Sequence, residues 1–200
     1  MSTRAAIAFK TEEGWSGVYS HWDGYPTSLG ARIWDTIMKE FILNKGEIGI
    51  ANDGSRSLQS FVDVYIKGHR GGWSSFPETC YCHDPEFVMR DGDKTQEEFM
   101  DQDHSDPLFI EWVYIIDPDM KTLTVLTHGR SKGLEHNKVV DKKTGEVRKW
   151  DSPKYAHYPV VVLSLNPDIA EPNWEAIEKK GGEISEQMSK KFETRYGRSI

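Results

Sequence analysis

Cysteine is nearly absent from this chain: Cys80 and Cys82 are its only two. Separated by one residue, they are too close for a comfortable structural disulfide and too few for a disulfide scaffold, which excludes the small disulfide-stapled folds and fits a reducing compartment. Long apolar runs are missing too. Nothing approaches the roughly 18 residues a membrane span needs, and the N-terminus lacks a basic region followed by an apolar segment, so no membrane association is expected and the expected location is cytoplasmic. Cations are in deficit, with 25 Lys and Arg against 32 Asp and Glu and a formal net charge of -7. That balance argues against non-specific nucleic-acid binding, which requires an excess of Lys and Arg on the contacting face. No P-loop, dinucleotide fingerprint, deaminase signature or calcium-loop spacing is present, and no cofactor is expected. Internal repeats, low-complexity tracts and domain linkers are also lacking.

What is present suits one domain, residues 1–200, because 200 residues can bury on the order of 70% of the unfolded surface. Seven Trp, eight Tyr and eight Phe make the chain rich in aromatics, which fill cores and build binding surfaces. The charge is unevenly spread. Residues 78–119 carry thirteen acids against two Lys or Arg, whereas residues 128–155 carry eight Lys or Arg against four acids. One segment suits a cationic partner and the other an anionic one.

The hydrophobic pattern predicts an α+β domain with a largely antiparallel sheet, packed by a helix in the N-terminal half and a C-terminal helical region. Residues 3–10, rich in small apolar side chains, read as a strand buried on both faces, followed by a hairpin loop over 11–17 and a second strand over 18–22. Leu29, Ile33, Ile37 and Phe41 recur every four residues, broadened by Trp34, Met38 and Ile42, and predict a helix ending near residues 44–46. Residues 52–60 read as turns, 61–66 as a short strand, and 68–107 as an irregular acidic excursion with a short helix near 96–101. Alternation over 110–116, the turn Asp117-Pro118-Asp119 and residues 122–127 predict a second hairpin. Residues 136–150 predict a projecting basic hairpin around Lys143-Thr144-Gly145. Residues 158–165 are apolar on both faces and read as a central strand. Pro172-Asn173 opens the C-terminal helical region, which Gly181-Gly182 is expected to divide in two.

The candidate site is the strand-to-helix junction His21-Trp22-Asp23-Gly24-Tyr25-Pro26. Such a junction holds polar side chains on rigid elements while leaving them accessible. His21 titrates nearest neutral pH, and Asp23, two residues on, is placed to raise its pKa by its charge. The same Asp-Gly pair also reads as a plain Asx-turn near Tyr25, with His21 and Trp22 simply packing. Thr27 or Ser28 is expected to cap the helix that follows.

Ser2-Thr3-Arg4-Ala5-Ala6-Ile7-Ala8, then Val18-Tyr19, His21 to Pro26 and Gly30, resembles a family of uncharacterised small proteins of bacteriophages and bacteria. The resemblance covers roughly the first 45 residues, and Cys80-Tyr81-Cys82-His83 is similar to a motif in the middle of that family. It implies a phage or mobile-element context, hence the cytoplasm of a host, and no particular chemistry.

Three further sets of residues carry candidate chemistry. Ser2, exposed as the first residue if Met1 is removed, can serve as an N-terminal nucleophile with its own α-amino group as base. Arg4, one strand period away, is placed to bind a carboxylate or to pair with an acid. Cys80, Cys82, His83 and Asp84 are metal-ligand types, joined in principle by His69, but they lack the paired spacing of a zinc site, and no metal is expected. His69, Arg70 and Trp73 combine cations, an aromatic and glycine, as phosphate-contacting or stacking loops do. The reading that follows is an accessory protein that binds a small-molecule ligand or a host protein through His21 to Tyr25, with Arg4, Trp22, His69, Arg70 and Trp73 contributing. The alternative is a hydrolase using Ser2 or a His21/Asp23 acid-base pair. Oligomeric state is left open.

Overall fold

The computed structural model describes residues 3–39, 54–67, 100–102, 105–141 and 143–197. They form a six-stranded sheet in the order β3 (Met100–Asp101), β2 (Gly14–Ser20), β1 (Ala5–Thr11), β4 (Trp112–Asp117), β5 (Thr122–Val140) and β6 (Val147–Ser164), with helices packed mainly on one face. The α+β expectation holds. All strand pairings are antiparallel except that of β1 with β4.

β1 (Ala5–Thr11) and β2 (Gly14–Ser20) form a tight hairpin closed by Glu12 and Glu13. The turn is shorter than expected, because Gly14 to Gly17 already belong to β2. Ala5, Ala6, Ile7 and Ala8 are all buried, as a strand covered on both faces requires. After the junction, residues 26–30 form a π-helical turn that runs into α1 (Ala31–Thr36). Pro26 occupies its first position, where a missing N–H costs nothing. Leu29, Ile33 and Ile37 are fully buried, with Trp34 and Met38 nearly so, which confirms the four-residue stripe over the described residues. Phe41, Ile42 and the expected helix end lie outside them.

The expected turns and strand over 52–66 are corrected. Residues Gly54–Phe61 form α2, continued by a π-helical segment Val62–Lys67. Leu58, Phe61, Val62 and Ile66 are buried while Asp63 and Val64 are exposed. This three-and-four spacing buries one helical side, and it outweighs the β-preference of Val62, Val64 and Ile66. The short helix expected near 96–101 is corrected at its end, where β3 (Met100–Asp101) pairs with Ser16 and Gly17. Residues 68–99 of the acidic excursion lie outside the described residues.

β4 (Trp112–Asp117) and β5 (Thr122–Val140) make the second hairpin as predicted. β5 then pairs with β6 (Val147–Ser164) along almost its whole length, with irregularities between Val125 and Leu126 and between Arg130 and Leu134. The predicted polar hairpin is thus the far end of two long strands. β6 is an edge strand, not a central one. Val160 is buried but Val162 is exposed, and the Lys180 ammonium donates to the Val160 carbonyl. Pro153 and Pro159 lie within β6, and proline in a sheet is confined to edges and bulges.

α3 (Trp174–Tyr196) is a single continuous helix, so the division expected at Gly181-Gly182 is corrected. Asn173 caps it, its side-chain oxygen accepting the Ala176 N–H at 3.0 Å. The main core unites α1, α2 and α3 with Ile7, Trp112, Tyr114, Ile116 and Val125. A second, smaller core of Ala6, Ala8, Trp15, Val113 and Ile115 lies under Ile110 on the opposite sheet face. Among the described residues no helix is long and apolar enough to cross a membrane.

Candidate functional site

The junction is held from below. The Gly24 N–H donates to the Thr3 carbonyl at 3.0 Å, and the buried Tyr114 hydroxyl donates to the Gly24 carbonyl at 2.7 Å. A Cβ on Gly24 would sit 2.8 Å from that of Ala5, so only glycine lets the chain cross the end of β1 so closely. Asp23, just before it, adopts the left-handed backbone with φ 52, a conformation Asp tolerates better than most residues. Burial pushes the Tyr114 hydroxyl well above the usual phenol range, and the Glu178 carboxylate adds to the effect.

The sheet end divides the residues expected to act together. His21 stacks on Trp22 with ring centroids 4.7 Å apart and lies 5.8 Å from Tyr19. Tyr19 belongs to the smaller core on the face of Ala6. Arg4 sits on that side as well, its guanidinium 5.6 Å from the Phe109 ring centre. Partial burial, with the Arg4 charge adding to it, lowers the His21 pKa. This reverses the expected effect of Asp23: desolvation and a nearby cation set the ionisation of His21. Burial likewise raises the Tyr19 hydroxyl, with Arg4 opposing.

Tyr25 takes the other side. Its carbonyl accepts the Ser28 and Gly30 N–H groups, and its partly exposed ring lines a groove of about 730 Å³ between the junction, the start of β4 and one flank of α3. Neither Thr27 nor Ser28 caps α1 through its side chain. Thr27 instead reaches across, donating from its N–H at 3.3 Å and its hydroxyl at 2.7 Å to the Glu178 carboxylate.

Trp112 and Thr127 belong to the groove wall, and α3 contributes Glu175, Glu178, Lys179, Gly182, Ser185, Glu186 and Ser189. With Glu111, four carboxylates face one Lys. Glu186 is held by Lys190 at 2.6 Å, and that hydrogen bond and charge lower its pKa. Among the described residues Glu111 and Glu175 have no ion-pair partner. Of the expected site residues, only Tyr25 lines this groove. The acids of α3 were not singled out from the sequence, although their signal is there: Glu175, Glu178, Gly182, Ser185 and Ser189 fall at three- and four-residue spacing, a shallow polar stripe beside the buried one.

A second cavity of about 570 Å³ opens on the opposite sheet face, between Trp15, Asp106, Glu135, Tyr155 and His157. The His157 Nε2–H donates to the Ile110 carbonyl at 2.8 Å, and the His128 Nδ1–H to the Pro107 carbonyl at 3.0 Å. The two histidines are register partners on β5 and β6, so together they fasten the segment that covers the smaller core. Burial lowers the pKa of His157; the hydrogen bond to Ile110 opposes this and the nearby His128 adds to it.

Ser2, His69, Arg70, Trp73, Cys80, Cys82, His83 and Asp84 lie outside the described residues. Among the described residues no group of three or more His, Cys, Asp or Glu is arranged to hold a metal ion. In comparisons with known proteins the chain matches no family model, no curated protein and no solved structure.

Proposed function

We propose that this chain is a binding protein whose groove beside the junction takes up a cationic group of a small ligand or host protein. The observation that carries the reading is the pair Glu111 and Glu175, which among the described residues have no ion-pair partner, set in a groove beside the exposed ring of Tyr25. Aromatic faces attract cations and cover their apolar stems, while carboxylates supply the opposite charge. Of the original site, Tyr25 contributes directly. His21, Trp22 and Arg4 belong to the adjoining surface beyond the sheet end. The likeness of the N-terminal residues to phage and bacterial proteins suggests a phage or mobile-element accessory protein acting on a host factor in the host cytoplasm. The hydrolase alternative gains nothing from the junction, since the charge acting on His21 is that of Arg4.

Isothermal titration of the full chain with spermidine and with trilysine amide tests the reading. Binding that weakens with added salt and is lost in Glu111→Gln/Glu175→Gln supports it. Absence of binding, or binding indifferent to those substitutions, rejects it.

A further inference from the structure

Among the described residues nothing covers the outer part of the β5–β6 ladder. Beyond the irregularity at Arg130 and Leu134, seven residue pairs continue from Leu134 with Pro153 to Val140 with Val147, a ribbon roughly 23 Å long at the usual rise per residue. Every described residue from 138 to 151 is exposed. A lone two-stranded ribbon is marginally stable in water, and this one exposes Val139, Val140, Val147 and Trp150, each at 50% or more. Register places Val139 opposite Arg148 and Asn137 opposite Trp150. Because side chains alternate between faces, Val139, Arg148 and Trp150 share one face, while Lys138 and Lys149 share the other with Val140 and Val147.

One face of the arm carries a single cation, Arg148, and the other carries two, Lys138 and Lys149. Among the described residues Lys138, Arg148 and Lys149 have no ion-pair partner. Two of the arm's acids are already engaged: Asp141 accepts the Lys143 and Thr144 N–H groups, and Asp151 meets His136 at 2.7 Å. The face of Val139 and Trp150 therefore offers apolar surface with the Arg148 cation, and the groove offers Tyr25 with Glu111 and Glu175, none of these three charged groups having an ion-pair partner among the described residues. The arm leaves the body past Arg130, which contacts Phe192 and Glu193 near the end of α3. The groove flanks the earlier turns of that helix. Val139 lies roughly 36 Å along the paired strand β5 from His128 of the groove wall at the usual rise per residue, so the paired arm extends away from its own groove, whereas a second copy supplies both halves of the match.

We propose that two copies of this chain form a two-fold dimer in which the Val139–Arg148–Trp150 face of each arm lies in the groove of the other. The same two surfaces then meet twice, so the assembly closes. The proposal rests on the reading of the groove as a binding site for cations and names its occupant.

Sedimentation of the full chain over a range of concentration and salt tests it. A salt-sensitive dimer is expected, with Arg148→Glu/Trp150→Ala raising its dissociation constant roughly tenfold or more while far-UV circular dichroism is unchanged. Adding Glu175→Arg to Arg148→Glu should recover part of the loss, since the swapped charges again attract. A chain that stays monomeric, or a dimer indifferent to the arm substitutions, overturns the proposal. Spermidine titrated into that monomer, or into the Arg148→Glu/Trp150→Ala chain, then judges the groove separately: binding there preserves the groove as a cation site while the arm fails as its occupant.

Discussion

Gly181 of α3 lies against the six-membered ring of Trp112 on β4, so closely that a Cβ on the glycine would fall 2.2 Å from Cη2 of the indole. Its neighbour Gly182 faces open space, with nothing within 4 Å of a Cβ. The contact sets the distance between the helix and the sheet, and with it one wall of the groove.

The two glycines should therefore respond oppositely to the same substitution. Gly182→Ala is expected to stabilise the fold by about 0.5–1 kcal/mol, because alanine loses less backbone entropy in a helix. Gly181→Ala gains the same propensity term but must displace a buried indole, and overpacking of that kind costs about 1–3 kcal/mol. Urea unfolding of the two variants should give midpoints on opposite sides of the parent.

Tyr114→Phe removes the hydroxyl that holds the Gly24 carbonyl. A loss of about 1–2 kcal/mol is expected from a buried hydrogen bond whose acceptor is left unpaired. Because burial raises the folded pKa of Tyr114, its contribution is complete below the unfolded phenol value of about 10 and is lost as pH rises above it. The parent should lose stability more steeply than Tyr114→Phe in alkaline urea titrations.

His157 works in the opposite direction. Its folded pKa is depressed, chiefly by burial, so the unfolded chain binds the proton more readily. Stability is then complete above the ordinary histidine value of about 6.5 and declines as pH falls through the folded pKa. Unfolding midpoints compared at about pH 7.5 and about pH 5.5 should drop less in His157→Gln than in the parent. A parent with no such drop would contradict the assignment.

Asp141 organises the arm tip. Its carboxylate accepts the Lys143 and Thr144 N–H groups, and those backbone bonds lower its pKa. Gly145 closes the turn with φ 70, a conformation glycine adopts freely. In Asp141→Ala the amides of Lys143 and Thr144 should exchange with solvent faster while core amides are unaffected. In the parent the same loosening should appear as pH falls below the ordinary Asp range.

The sheet's central strand, the buried stripe of α1 and the β4–β5 hairpin were readable because each depends on neighbours two to four positions away. Ala5 to Ala8 and Trp112 to Ile116 are buried on both faces of their strands, and Leu29, Ile33 and Ile37 are buried at four-residue intervals. The candidate site was only partly readable. Tyr25 could be singled out at the turn, but Glu175 and Glu178 acquire meaning only when α3 is laid beside it.

By itself, then, the sequence determined where strands and helices form over most of the described chain and that Asn173 starts the last helix. Tertiary structure decided that residues 54–67 are helical, that β6 lies at the edge, and that α3 passes unbroken over Trp112. It also set His21 and Tyr25 on different sides of the sheet end. The physical reason is the range of the interactions. Local period and capping act within a turn or two, whereas the bond from Thr27 to Glu178 joins residues 151 positions apart, and such partners are chosen only when the whole sheet has been covered.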